Sequence, residues 1–316
     1  MKRLTIVLLL TVFFILMLLF PTITFEASKK GLILWFDTLL PTLLPFLIIS
    51  QLMLKTSAIE VFQKLFAPFI TKLFHCSLEG AFCILCGLLC GCPVGARLIS
   101  LQIKEQRLSK SEGQYLLSFC NQLSPSFCIS YGILQTIGAK HVLPYLMIIY
   151  GTSLLYGYFT RPKTMPVIQF NTKKQTSVAE NIFQLIDVCI IDSFLIMIKL
   201  CGYLILFSLI TQFIVLLLPS NSITLQICFA SFLEITGGLS LVQQLPYGTT
   251  RTLIALSAFS FGGLCCVFQT NSVLSDSGIS LKKYIFAKAL ITLFVVFFYF
   301  FWNFCFNHFF TSQCWC

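Results

Sequence analysis

Long apolar runs separated by short clusters of basic residues set the pattern of this chain. Residues 6–20 form an apolar run behind Lys2-Arg3. The run is longer than a signal-peptide core and no small-x-small cleavage pattern follows it, so a retained first span is expected. Residues 32–54 predict a second span, with Asp37 near its start and with Pro41 and Pro45 four apart on one helical face. Residues 59–74 mix Lys64, Pro68 and Lys72 with aromatics, which suits an interfacial or re-entrant helix. Residues 143–159 predict another span. The run 182–218 is too long for one perpendicular span, so an interfacial lead-in over 181–192 and a span ending before Pro219 are expected. Residues 222–245, 253–267 and 284–310 add further apolar segments. The fold class predicted is an all-α polytopic membrane protein.

Composition supports that class: 57% of the 316 residues are hydrophobic, 34 are phenylalanine and only 10% are charged. The formal net charge of +10 does not imply nucleic acid. The basic residues sit between apolar runs, at 2–3, 29–30, 97–110, 161–174 and 282–283, where juxtamembrane anchoring and the positive-inside bias place them. The lipid bilayer is therefore one expected partner. Most of the 15 cysteines lie in apolar runs as small hydrophobes. Cys83, Cys86, Cys90 and Cys92 have no hydrophilic loop to wrap an ion, and Cys314 and Cys316 match no metal site; no metal and no cofactor are expected. With three histidines and no nucleophile–base pattern, the chain shows no catalytic residues and is not expected to be an enzyme.

The apolar run that begins at Gly80 is interrupted at Gly91-Cys92-Pro93-Val94-Gly95, immediately before Arg97. Proline cannot continue a helix without losing a hydrogen bond, and glycine permits the dihedrals of a break. At membrane depth such backbone is tolerated where protein or a watery cavity satisfies it, and broken helices line substrate sites in transporters. A kinked structural span is the other reading of the same residues. A polar segment then leads to Ser109-x-x-Glu112, a capping-box pattern, and to Asn121, Gln122, Ser124 and Pro125. Phe268-Gln269-Thr270-Asn271-Ser272 marks a second polar interruption. Lys199 and Glu234 are charges inside apolar runs, where isolation is costly, so each is a candidate functional residue.

The two halves echo each other in order. Phe66-Ala67-Pro68-Phe69 reappears as Phe229-Ala230-Ser231-Phe232, Trp35-Phe36-Asp37-Thr38 parallels Ile190-Ile191-Asp192-Ser193, and Gly87 to Cys92 parallels Gly263 to Cys266. Two repeated halves, each with a broken transmembrane helix, are expected, with the divide in the polar stretch after Arg161. The charge pattern leaves a parallel or an inverted repeat open.

On Gly91-Cys92-Pro93-Val94-Gly95-Ala96-Arg97, Ser111-Glu112-Gly113, Phe119-Cys120-Asn121, Pro125, Phe232-Leu233-Glu234-Ile235-Thr236 and Gln269, the chain resembles the YlbJ-type sporulation integral membrane proteins, which carry a gate (nucleoside-recognition) domain. Cys92 stands where that family has tyrosine. The resemblance runs from about residue 31 to the end. Together with the first span and the polar stretch read above, the chain is expected to divide into a 1–30 transmembrane anchor, gate-like repeats at 31–160 and 179–316, and a 161–178 linker. The resemblance also implies a multi-pass place in the mother-cell or outer forespore membrane, a role in endospore and spore-cortex formation, and delivery of dipicolinate. A small-molecule anionic substrate would then meet Arg97 as a bidentate carboxylate ligand, the Gly91–Gly95 break with Pro93 as an anion nest, and polar contacts from Asn121, Ser124, Gln269 and Asn271. Glu234 is cast as a coupling carboxylate or as the partner of Lys199. A nucleoside transporter and a non-transporting scaffold or sensor remain the alternatives. The oligomeric state is not legible.

Overall fold

In lipid each backbone polar group must be paired within the protein, and uninterrupted apolar runs of this length achieve that as α-helices. The computed structural model describes residues 2–56, 58–163, 182–219, 222–274 and 277–311, and the regular elements among them are all helical. Four described helices are long and apolar enough to cross a membrane, and a bent pair around residues 74–78 makes a fifth candidate. The chain is a multi-pass membrane protein.

Helix α1 (Lys2–Leu19) leads into α2 (Pro21–Lys55), which is continuous through residue 30 and through both prolines. A π-helical turn at Trp35–Leu39, with the Leu40 N–H bonded back to Trp35 O, precedes Pro41, where the ordinary bond to Asp37 cannot form. Helix α3 (Ala58–Phe74) is amphipathic and meets α4 (Leu78–Cys90) at 96°. The break after Cys90 separates α4 from α5 (Val94–Lys104), and α6 (Lys110–Cys120) follows. Residues 121–124 interrupt α6 before α7 (125–137), and α8 (143–159) returns. Helix α9 (Ile182–Leu217) is one unbroken element of 36 residues, so the lead-in expected over 181–192 is not separate. Then come α10 (Ile223–Leu233), α11 (Ile235–Val242), α12 (Thr249–Phe261), α13 (Gly263–Val273) and α14 (Leu281–Thr311). Most of the expected linker, residues 164–178, lies outside the described residues, as do Cys314 and Cys316.

Helices α4 and α5 double back as a hairpin: a Cβ at Gly95 would lie 2.8 Å from the Cα of Gly87. Helices α10 and α11 form a second hairpin, in which a Cβ at Gly238 would lie 2.2 Å from the Cα of Ser231. Only a missing side chain allows backbones this close. Each hairpin is followed by a helix pair that is broken midway, α6–α7 and α12–α13.

Hydrogen bonds between helix ends define two faces. On one, Glu112 accepts from Ser77, Arg107 reaches Leu54 O, Arg161 reaches Leu73 O, and Gln114 exchanges bonds with Ser280. On the other, Arg251 ties Thr136 O to Gln243 O and Leu245 O. The first hairpin therefore enters from the Lys110 face and the second from the Arg251 face, and α6–α7 and α12–α13 run in opposite directions. This is the inverted arrangement.

The second interruption lies elsewhere than expected. Helix α13 runs unbroken through Gln269 to Val273. The break falls at Gly262 and Gly263, whose φ values of 85° and 75° favour residues without a Cβ. The polar residues at 269–272 are side chains on an intact helix, because a polar run does not itself remove a backbone hydrogen bond. Helices α2 and α9 pack as a pair beside this core. Gly31 lies against Ile205, the Trp35 indole N–H donates to Met197 O at 2.8 Å, and Gln51 donates to Ser193 at 3.0 Å.

Candidate functional site

Each hairpin tip rests on the break of the helix that follows it. A Cβ at Gly91 would lie 2.4 Å from the Ser124 nitrogen, and the Cys92 N–H donates to Gln122 O at 2.6 Å. In the second half, a Cβ at Gly263 would lie 3.3 Å from Leu233 O and 3.5 Å from the Ile235 nitrogen. The halves join where the Cys92 thiol sits 3.3 Å from Thr270 Oγ1 and Asn121 Nδ2 donates to the same hydroxyl at 3.0 Å. Asn121 also donates to the Tyr284 hydroxyl at 3.1 Å, while its Oδ1 has no hydrogen-bond partner.

Beside this junction lies a cavity of about 100 Å³. The first half lines it with Cys92, Ser124, Ser126 and Ser130, the second with Glu234, Thr236 and Gln269, and α2 with Thr38 and Thr42. Leucines, Phe127, Ile235, Cys265 and Cys266 complete the wall, and among the described residues Glu234 is the one charged side chain in it. A larger groove of about 1340 Å³ between α3, α4, α8 and α14 is lined by no charged residue and offers almost no polar recognition. The small cavity has the mixture expected of a solute site: an apolar wall with a few convergent polar groups.

The chain is 25% identical over 308 residues to the sporulation integral membrane protein YlbJ of Bacillus subtilis (strain 168), covering 85% of this chain and 75% of that protein. That likeness supports the resemblance read from the motifs. No family model and no solved structure matches the chain.

The structure brings Gly91, Ser124, Glu234 and Gln269 around one place, with Pro93 and Asn121 immediately behind it. It does not bring Arg97 there. Beyond the Pro93 corner α5 folds back along α4, so one turn later Arg97 faces the α2 and α9 side. There Asp192 acts on it electrostatically, and its buried Nε has no hydrogen-bond partner. Gly95 is spent on the approach to Gly87, and Asn271 is exposed on α13. Lys199 is exposed on α9 and is not a buried charge within the fold. Glu234 needs no lysine: it caps α11, accepting from the Thr236 N–H at 2.8 Å, the Gly237 N–H at 2.6 Å and the Thr236 hydroxyl. Two helix-start N–H groups and a dipole stabilise its charge where a cation was expected.

Sequence reasoning passed over Lys288, Gln122, Thr270 and Arg251. Lys288 and Arg251 were legible by the argument applied to Lys199, as charges within or beside an apolar run. Both are buried, at 2% and 5% exposure. Thr270 and Gln122 carry no such signal, because only the crossing of the breaks gives them partners.

Proposed function

We propose that this protein is a membrane carrier acting in endospore formation, moving a small carboxylate such as dipicolinate towards the forespore, with its solute site in the cavity between the two gate-like hairpins. The observation that carries this reading is the pair of hairpins entering from opposite faces, each with its tip on a broken helix, around one polar cavity. Irregular backbone that lines a cavity is what a carrier needs and what a scaffold has no use for. The similarity to a sporulation membrane protein supplies the setting.

The anion would be held without arginine. Helix α7 begins at the cavity, where Ser124 caps it and Ser126 and Ser130 present hydroxyls. A helix start and hydroxyl donors favour a carboxylate. Glu234 shares the wall with these donors, and we assign it the role of the carboxylate that couples transport to protons. The absence of lysine and arginine from the wall favours a second reading, an uncharged nucleoside-like solute hydrogen-bonded to Glu234 and Gln269.

Uptake of labelled dipicolinate and of a labelled nucleoside into vesicles containing only this protein separates the readings. Dipicolinate uptake stimulated by an inward proton gradient is expected. Nucleoside uptake alone would establish the second reading, and transport of neither solute would leave a non-transporting membrane component.

A further inference from the structure

The two broken helices cross at a buried ammonium that the cavity does not use. Lys288 lies on α14, eight residues into an apolar helix, and is 2% exposed. Its Nζ donates to Gln122 Oε1 at 2.6 Å and to Ser260 O at 3.0 Å. Gln122 belongs to the 121–124 break, and its amide nitrogen covers Phe119 O in the last turn of α6. Ser260 O belongs to the last turn of α12, two residues before the Gly262 break. The ammonium therefore sits at the C-terminal ends of two half-helices, one from each half of the chain, where the helix dipoles place negative potential.

No carboxylate faces Lys288 among the described titratable groups of the surrounding elements. Its titratable neighbours are thiols: Cys92 at the hairpin tip, Cys120 at the end of α6, Cys128 on α7 and Cys266 on α13. Among the described residues it forms no ion pair with a carboxylate. A cation held by one backbone carbonyl and one amide oxygen beside two helix C-termini, without a counter-carboxylate, resembles the environment in which transporters coordinate a small monovalent ion.

We propose that the crossing of the two broken helices is a cation site and that Lys288 fills it permanently, taking the place of a sodium-sized ion drawn from solution. Lys288 is thus a positioning residue: its charge holds the C-terminal ends of α6 and α12 together and keeps both breaks open. This rests on the crossing alone and is independent of which solute the cavity carries.

The test is thermal unfolding of the purified full chain in detergent, in sodium, methylammonium and choline chloride at equal ionic strength. The parent protein is expected to melt at one temperature in all three. K288A leaves the site empty; it should melt roughly 5 °C lower in choline and recover most of that in sodium or methylammonium, which fit the vacancy where choline does not. K288M fills the space without charge and should melt lower in all three salts alike. The proposal is overturned if K288M melts with the parent, or if K288A is indifferent to the cation. If K288A is lost on extraction, recovery in sodium and not in choline supports the proposal, and recovery in neither overturns it.

Discussion

Gly91 shows how much of this protein depends on single atoms. Its φ of 82° lies in the left-handed region, and the space where a Cβ would go is occupied by the Ser124 backbone at 2.4 Å. The conformational penalty alone is roughly 1–2 kcal/mol for a residue with a side chain, and the steric conflict adds to it. G91A is expected to lower the melting temperature and to abolish uptake, as read by thermal unfolding and vesicle uptake together. Glu234 is held differently, by the first N–H groups of α11. E234Q keeps one acceptor oxygen and loses the charge, so a loss of about 1 kcal/mol from the cap is expected. Under the proton-coupled reading, E234Q should also make uptake independent of pH, and a pH profile unchanged from the parent's would reject that coupling. Arg97 lies outside the cavity, so R97A at matched protein levels should bind dipicolinate with parental affinity.

At the scale of elements, the hairpins need their ends fixed as well as their tips. Arg251 does this for the second one. Its guanidinium donates to Thr136 O, Gln243 O and Leu245 O, closing the C-terminal ends of α7 and α11. It also stacks 4.1 Å from the Tyr247 ring centroid. Removing it leaves the buried Thr136 carbonyl and the part-buried carbonyls of Gln243 and Leu245 without this donor, and a buried polar group left unpaired costs about 1–3 kcal/mol. R251A is therefore expected to destabilise the fold by about 3 kcal/mol or more, and R251K should not restore it, because an ammonium cannot span three carbonyls in one plane. Denaturant or thermal unfolding of the three proteins reads this directly.

For the whole molecule, the opposed hairpins make the two faces unequal in charge. Lys104, Arg107, Lys110, Arg161, Lys163, Lys282 and Lys283 lie at helix ends or loops of the Glu112 face. The Arg251 face has Lys140 and His141 near it, and Arg251 itself is buried. By the positive-inside rule the Glu112 face is cytoplasmic. An epitope inserted beside Lys282 should be reached by antibody only after the cell is permeabilised, whereas one beside His141 should be reached from outside. The reverse result would invert the membrane orientation.

Hydropathy and length by themselves determined that this is a helical membrane protein, because continuous apolar runs of spanning length pair their backbone in lipid as helices, whereas barrel strands are short and alternate. The Gly91–Gly95 break was legible where Pro93 falls between two glycines, a combination that Pro41 and Pro45 lack within the continuous α2. The capping role of Ser109 was likewise legible, and its side chain accepts from the Glu112 N–H at 3.1 Å. Other features were decided only by tertiary structure. The second break could not be told from the polar run at 268–272, because the Gly262-Gly263 pair becomes a break only where Leu233 and Ile235 pack on it. Which way each hairpin enters depends on hydrogen bonds between helix ends far apart in sequence. Glu234 was legible as a charge of the site, but the place of Arg97 was not: spacing put it one turn beyond the break, and folding turned that helix back on its neighbour and carried the guanidinium away from the cavity.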